Sequence, residues 1–481
     1  VTLPSARPLR KYGRWGRPDL EPEEKEHAQS TQRDVPPAPG GEAPRPSRRS
    51  LYGLDWFVFF LADAQMGFGP LVAVYLTAQK WTQGDIGLIL TAGSLVALVG
   101  QIPGGALVDA ARSERVLSAF AVVAIAVSAV VIGFWPFFAA VMAAKVLHSA
   151  ASCVLGPAIA AISLGLVGHA AMAERLGRNA RFASIGAALA AAGMGAAGYL
   201  ISNQAVFFVT AALCAPTLVS LCVIGPGQVD PERAHGGKAQ PHPGDPTATL
   251  RGLVRNRPLM IFAGCVALFH LANAAMLPLT ASVITMRSSE WAAALVGACI
   301  LAPQLIVAAF APWVGRQAVI RGRLPLLLLG FGVLPIRGVL LAFVQSPEML
   351  VAVQLLDGIS AAVLGVLVPL TVADVTRGTG HFNLAQGVIG TAVGIGASLS
   401  TTLAGYTWDY FGVVPAFLFL AIIAAAGFIM VLAVMPETGG LPSAMGNESG
   451  RGAFFPRSSS ANRRGSDRSA GRGLNRRRST P

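Results

Sequence analysis

Between positions 51 and 435 the chain divides into twelve apolar stretches of about twenty residues each, parted by short polar hinges. About twenty helical residues rise about 30 Å, the thickness of a bilayer's hydrocarbon core. One such stretch could be the buried helix of a large soluble core. Twelve in series leave too little polar surface to face water on any side. The predicted spans are 54–77, 86–108, 115–134, 137–162, 182–201, 203–224, 258–284, 292–314, 324–344, 348–372, 383–406 and 412–434. An all-α membrane protein with twelve transmembrane helices in two six-helix bundles is therefore expected, with the lipid bilayer as its first partner.

Composition supports this: 13% of residues are charged and 53% hydrophobic, where globular domains carry about 25% charged residues. A net charge of +13 could suggest a nucleic-acid partner, but the placement of the basic residues argues for none. The two tails, the 225–257 linker and the even-numbered hinges hold 33 of the 37 Lys and Arg; the odd-numbered hinges hold only Lys80 and Arg287. Basic residues are retained in the cytoplasm, so both tails and the linker are expected there. The five cysteines lie within apolar segments without metal-type spacing and read as small hydrophobes. Residues 1–50 lack the apolar core of a signal peptide, so the first span is expected to direct insertion.

The boundaries expected from these shifts are a disordered basic tail (1–50), a first bundle (51–224), a Pro/Gly-rich linker (225–257), a second bundle (258–435) and a disordered basic tail (436–481). The bundles read as weak repeats. A shift of about 208 residues superposes Pro70 on Pro278, Gln65 on Asn273, Lys145 on Gln354 and His148 on Asp357.

The second span ends Gly105-Ala-Leu107-Val-Asp109-Ala-Ala-Arg112. Gly105 would let two helix backbones approach closely, and Asp109 at a helix end could accept amides from another helix's N-terminus or pair with Arg112. The segment resembles the G-x-L-x-D signature of the major facilitator superfamily, at the place where that family carries it. The twelve spans, the 6+6 repeat and the central linker agree with the resemblance. It departs in having Arg112 where the signature has its second glycine, and Gly315 where the repeat copy would have its acid. The resemblance implies the major facilitator fold, with Gly105, Asp109 and Arg112 as a gating motif, Asp109 contacting the start of the eleventh span near Phe382, and a central cavity lined by the first, fourth, seventh and tenth spans.

Ionisable groups inside spans are costly and mark function. Asp63, Lys145 and Asp357 lie about 12–14 Å deep, and His148 and His270 about 16–18 Å. Lys145/His148, His270/Asn273 and Gln354/Asp357 are i,i+3 pairs, each sharing one helix face. Expected as proton-coupling groups are Asp63 and Asp357, and as the substrate cavity Lys145, His148, His270, Asn273, Gln354, Asp357 and Gln65. Asp63 lies in an apolar run and is the main coupling candidate; Asp357 is the main substrate contact, paired in some states with Lys145. Asp55 and Asp374, near span ends, are expected at the interface. Arg337, in the ninth span, receives no role beyond the option of turning inward to a carboxylate.

No nucleotide, metal, cofactor or catalytic motif stands out, so a gradient rather than an enzymatic reaction is the expected energy source. The expectation is a secondary transporter of the bacterial inner membrane, functional as a monomer, with protons and a small-molecule substrate as partners, exporting a small organic compound or metabolite by alternating access. The alternatives are a proton symporter importing an organic acid or sugar, and a transport-dead sensor or lipid-handling protein.

Overall fold

The computed structural model describes residues 46–66, 70–237, 246–287 and 292–439, and every regular element among them is helical. In chain order these are α1 Arg48–Met66, α2 Pro70–Ala78, α3 Gln83–Ala110, α4 Glu114–Phe134, α5 Phe138–Leu200, α6 Ala205–Val223, α7 Pro231–Ala234, α8 Pro246–Arg255, α9 Arg257–Asn273, α10 Met276–Arg287, α11 Ala292–Arg321, α12 Leu324–Phe343, α13 Pro347–Val375, α14 Phe382–Phe411 and α15 Val413–Val434. Local chemistry sets many of the starts. The side chains of Thr82, Ser113, Asp230, Asn256 and Ser346 accept the amides of Asp85, Val116, Arg233, Leu259 and Met349, and Pro follows the cap at 231 and 347. Capping of this kind satisfies amides that a helix's first turn leaves without partners.

Among the described residues, ten helices are long and apolar enough to cross a membrane. The 63-residue α5 differs from the sequence expectation, which placed a hinge at 163–181. Helix runs on both sides of a single non-helical residue, Gly168, at φ 69° and ψ 176°, a conformation that a Cβ disfavours. Asn179 Nδ2 donates to Ser163 Oγ at 2.8 Å. In a straight helix residues 16 apart would be separated by about 24 Å. The chain therefore doubles back at Gly168, giving two crossing-length arms. With α1 and α2 taken as one crossing, the helices are consistent with the twelve-span fold.

The seventh span is interrupted at Ala274–Ala275, just before Pro278. The freed amide of Ala275 is taken up by Ser400 Oγ of α14 at 3.0 Å. Such a replacement is what allows a helix to break at membrane depth.

One core cluster is drawn wholly from the first half, among it Leu54, Phe57, Ile89, Ile125, Val141 and Phe207; a larger one joins Phe262, Phe331, Leu367 and Phe417 to Ala160 and Leu176 of α5. The halves meet through α3 on α14, and α5 on α11 and α13. Glycine makes both crossings close. A Cβ on Gly105 would strike the Asn383 carbonyl, one on Gly387 the Gln101 carbonyl, one on Gly315 the Ala173 carbonyl, and one on Gly177 would come within 2.6 Å of the Ala311 carbonyl. The position expected to be a lost acid, Gly315, is thus a close-approach site. Gly105, Gly177 and Gly315 lie near the helix ends on the arginine-rich face, called here the basic face, so that face is closed.

Candidate functional site

A cavity of about 560 Å³ lies between the halves. α1 contributes Val58; α3, Gln101; α5, Pro157, Ile159, Asn179 and Ser184; α11, Pro303, Gln304 and Val307; α13, Asp357 and Pro369; α14, Gln386, Ile389 and Val393. Its size falls within the range of small-molecule pockets, which are mainly apolar with a few placed polar groups. Among the described residues those groups are four amide side chains, one hydroxyl and one carboxylate.

Among the described residues of the sequence-expected set, Asp357 is the one that lines this cavity. Three residues earlier on α13, Gln354 is fully buried and faces Arg337 instead. Arg337, buried to 1% exposure on α12, is the hub of a cluster. Its Nη1 donates to Asp357 Oδ1 at 2.6 Å and also to Asn273 Oδ1 of α9, and its Nη2 donates to Gln354 Oε1 at 2.6 Å. An unpaired guanidinium at this depth would be prohibitively costly, so the carboxylate and the two amide oxygens are what permit it. Arg337 Nε and Gln354 Nε2 are buried without a hydrogen-bond partner among the described residues. The sequence left Arg337 without a role; its lone position in an apolar span was the available signal.

The other expected residues lie elsewhere. Lys145 packs against Gly93 of α3, where a Cβ would fall 2.7 Å from its Cε, and His148 is buried one turn further along. His270 and Gln65 are half-buried on α9 and α1. Asp63 lies in α1, but its side chain is outside the described residues. Gln101, Asn179, Ser184, Gln304 and Gln386 were missed, because the sequence argument followed ionisable groups and these are amides and a hydroxyl on other helices.

On the basic face Asp109 accepts three hydrogen bonds at the start of α14. Its Oδ1 takes Asn383 N at 3.2 Å and Asn383 Nδ2 at 2.8 Å, and its Oδ2 takes Leu384 N at 2.7 Å. Arg112 is exposed at the mouth of a second pocket. Asp55, expected at the interface, is fully buried. It bridges Arg175 and Arg178 of α5, and Arg175 Nε continues to Asn179 Oδ1 at 2.8 Å. Asp374 is likewise buried, with Arg323 at 2.9 Å and Arg377 at 3.6 Å. Burial in both cases follows from pairing: a carboxylate held by two guanidiniums need not reach water.

Comparison with known proteins agrees with this architecture. The family model described as Major Facilitator Superfamily matches residues 56–302 and 265–464. A Mycobacterium tuberculosis protein described as an uncharacterized MFS-type transporter, found alike in two strains, is 40% identical over 397 residues, covering 81% of this chain and 94% of that protein. Among solved structures, the human organic anion transporter MFSD10 (TETRAN) matches 81% of this chain and all of its own, with a TM-score of 0.62 and 17% identity. The transporter FucP in its outward conformation matches 79% of this chain and 97% of its own, with a TM-score of 0.66 and 15% identity. Relatives and structural neighbours alike are transporters. An inter-half cavity in a twelve-span fold, a helix-end carboxylate on the start of α14 and a family match over both halves lead to one conclusion: this chain is a multi-pass membrane transporter belonging to the Major Facilitator Superfamily.

Proposed function

We propose that this protein is a proton-coupled exporter of a small, overall uncharged organic compound, seated in a bacterial inner membrane with both tails and the linker in the cytoplasm. The observation that carries the reading is the Arg337–Asp357 pair at the wall of the inter-half cavity. While Asp357 is ionised, the pair is neutral as a unit and the cavity presents amides to solute. When Asp357 takes up a proton the attraction to Arg337 is lost, so α12 and α13 can shift relative to one another. The spare donors on Arg337 and Gln354 give that alternative arrangement groups to satisfy. Asp63 is proposed as a second coupling carboxylate because it sits within an apolar run of α1.

The substrate class follows from the lining. Gln101, Asn179, Gln304 and Gln386 offer donors and acceptors without net charge, among apolar walls such as Val58, Ile159, Leu176, Val307, Ile389 and Val393. Such a lining suits an amphipathic compound with hydroxyl or carbonyl groups better than a sugar, which would need a denser hydrogen-bonding shell, or an organic acid, which would need a cation in the lining. That favours export of a metabolite over uptake of a nutrient. The three-bond contact of Asp109 is proposed as the latch of the closed basic face.

The experiment is a comparison of compounds exported by cells with and without the protein. The compound found is then followed into inside-out vesicles under an imposed pH difference. Accumulation should require the gradient and vanish in Asp357→Asn. Accumulation that persists in both Asp357→Asn and Asp63→Asn would remove proton coupling from the reading.

A further inference from the structure

The linker is Pro/Gly-rich, yet residues 225–237 are laid out in defined contacts with both halves. On the first half, Asp230 N donates to the carbonyl of Gly165 at 3.2 Å. That carbonyl would otherwise be orphaned by the helix break at Gly168. A Cβ on Gly165 would strike Val229 Cγ1 at 2.6 Å, and His235 Nε2 lies 3.0 Å from Glu114 Oε1 at the start of α4. On the second half, three successive linker carbonyls accept hydrogen bonds. Ala234 O takes Asn383 Nδ2 at 3.3 Å, His235 O takes Phe382 N at 3.2 Å, and Gly236 O takes Gly378 N at 2.5 Å.

The first three amides of α14 are thereby shared out: Phe382 N to the linker, Asn383 N and Leu384 N to Asp109. Two glycines make the docking possible. Gly236 and Gly237 have φ of +83° and +136°, and a Cβ on Gly237 would stand 2.6 Å from Gly378 Cα. Backbone lies on backbone there, with no room for a side chain.

We propose that residues 228–237 are a strap on the gate: they dock on the second half only while the basic face is closed, and their bonds to Gly378, Phe382 and Asn383 must part before that face can open. The strap stays with the first half, to which it is tied through Gly165, Val229 and Glu114. It moves off α14 together with Asp109. The start of α14 is therefore held by two independent devices, a carboxylate from α3 and a row of carbonyls from the linker. This goes beyond the proposed export, and its test needs no transported compound.

The test is the rate at which a membrane-impermeant maleimide, added at the linker face of vesicles, labels a single cysteine at Val368, which lines the inter-half cavity from α13, in an otherwise cysteine-free full-length chain. Gly237→Val should undock the strap and raise that rate about fivefold or more, the factor set by losing even one net hydrogen bond. Gly252→Ala, in α8 where a Cβ meets open space, should leave it unchanged. Should Gly237→Val fail to reach the membrane, a disulfide between Gly236→Cys and Phe382→Cys replaces it, since a Cβ on Gly236 lies 3.0 Å from that of Phe382, near disulfide range. Read at the peptide that carries the position-368 cysteine, so that label on the strap cysteines is not counted, oxidation should suppress labelling and reduction restore it. Labelling at the parental rate in Gly237→Val, or labelling as fast in the oxidised pair as in the reduced one, would overturn the proposal and return the linker to a tether.

Discussion

Arg337 Nη1 and Asp357 Oδ1 stand 2.6 Å apart on adjacent helices, and the guanidinium has only 1% of its surface exposed. Removing one member of such a buried pair strands the other. Asp357→Asn and Arg337→Met should each destabilise the protein by on the order of 3 kcal/mol, read from thermal unfolding in detergent. The double variant should recover much of that stability while remaining unable to drive transport from a proton gradient. Additive losses in the double variant would show that the two side chains do not act as a pair.

Asp109→Asn keeps the shape of the latch but replaces a carboxylate by an amide that can accept at one atom only. Loss of charge-assisted hydrogen bonds to Asn383 and Leu384 should speed labelling of a cavity cysteine from the basic face by about tenfold and slow transport. Gly105→Val should do the same by a different route, since its side chain would meet the Asn383 carbonyl. Parental accessibility in both variants would reduce Asp109 to an ordinary helix-end charge.

Asp55 joins α1 to α5 through Arg175 and Arg178 and has no exposed surface. Asp55→Asn should lower the unfolding midpoint markedly, on the order of 3 kcal/mol, because two guanidiniums lose their counter-charge. Arg178→Lys should be milder, as Arg178 is 46% exposed and its partner keeps Arg175. Equal losses in the two variants would contradict the asymmetry of their burial.

His235 gives a pH dependence of known sign. The adjoining Glu114 carboxylate raises its pKa, burial opposes this, and the charges of Glu114 and then Asp109 add to the rise. Arg233 and Glu232 are the preceding charged side chains nearest in sequence, and Arg233 pairs with Asp230 at 3.3 Å. A raised folded pKa means that the ring's stabilising contribution is complete below its unfolded value of about 6.5 and fades as pH rises through the folded value. The unfolding midpoint of the parent should therefore fall more than that of His235→Gln between pH 6 and pH 8. Parallel profiles would show that the ring does not titrate against Glu114. Glu437 adds a slope of the opposite kind. Burial raises its pKa, but the amides of Arg323, Gly439 and Leu324 and the charge of Arg323 outweigh this and leave it lowered, so its contribution is present above the usual carboxylate range and lost as pH falls through the lowered value.

The proposed topology is checked by cysteines in a cysteine-free background. Positions Gln79, Ser202 and Ser346 should react with an impermeant reagent in intact cells, and Ser113 and Gly378 should not. Reaction at Gly378 from outside would invert the assignment.

The twelve-span fold and its family were legible because hydrophobic length and one short motif state them directly. Asp109 was legible in part: the residues left a helix start, Arg112 or a plain helix-end charge open, and the resemblance pointed to the start of the eleventh span, where the contact lies. The cavity was less so. Gln101 and Gln386 are single amides in apolar runs, and nothing in their neighbours announces that they turn toward each other's half rather than toward lipid. Arg337 was visible as an anomaly, but choosing among Asp63, Asp357 and Asp374 as its partner needed the third dimension. The reversal between the fourth and fifth spans was expected, but its place was not: helix-forming residues continue on both sides of Gly168, so the sequence spread over 163–181 a turn that the chain makes at one residue.

That reversal bears on how the protein can be engineered. Sequence length alone would recommend residues 163–181 as a roomy hinge for an epitope tag or a reporter domain. Since helix resumes immediately after Gly168, each residue inserted beyond it would rotate the downstream arm by about 100°, carrying Arg175, Arg178 and Asn179 away from Asp55 and Ser163. A hinge that looks generous in the sequence is in this molecule among the least forgiving places to lengthen the chain.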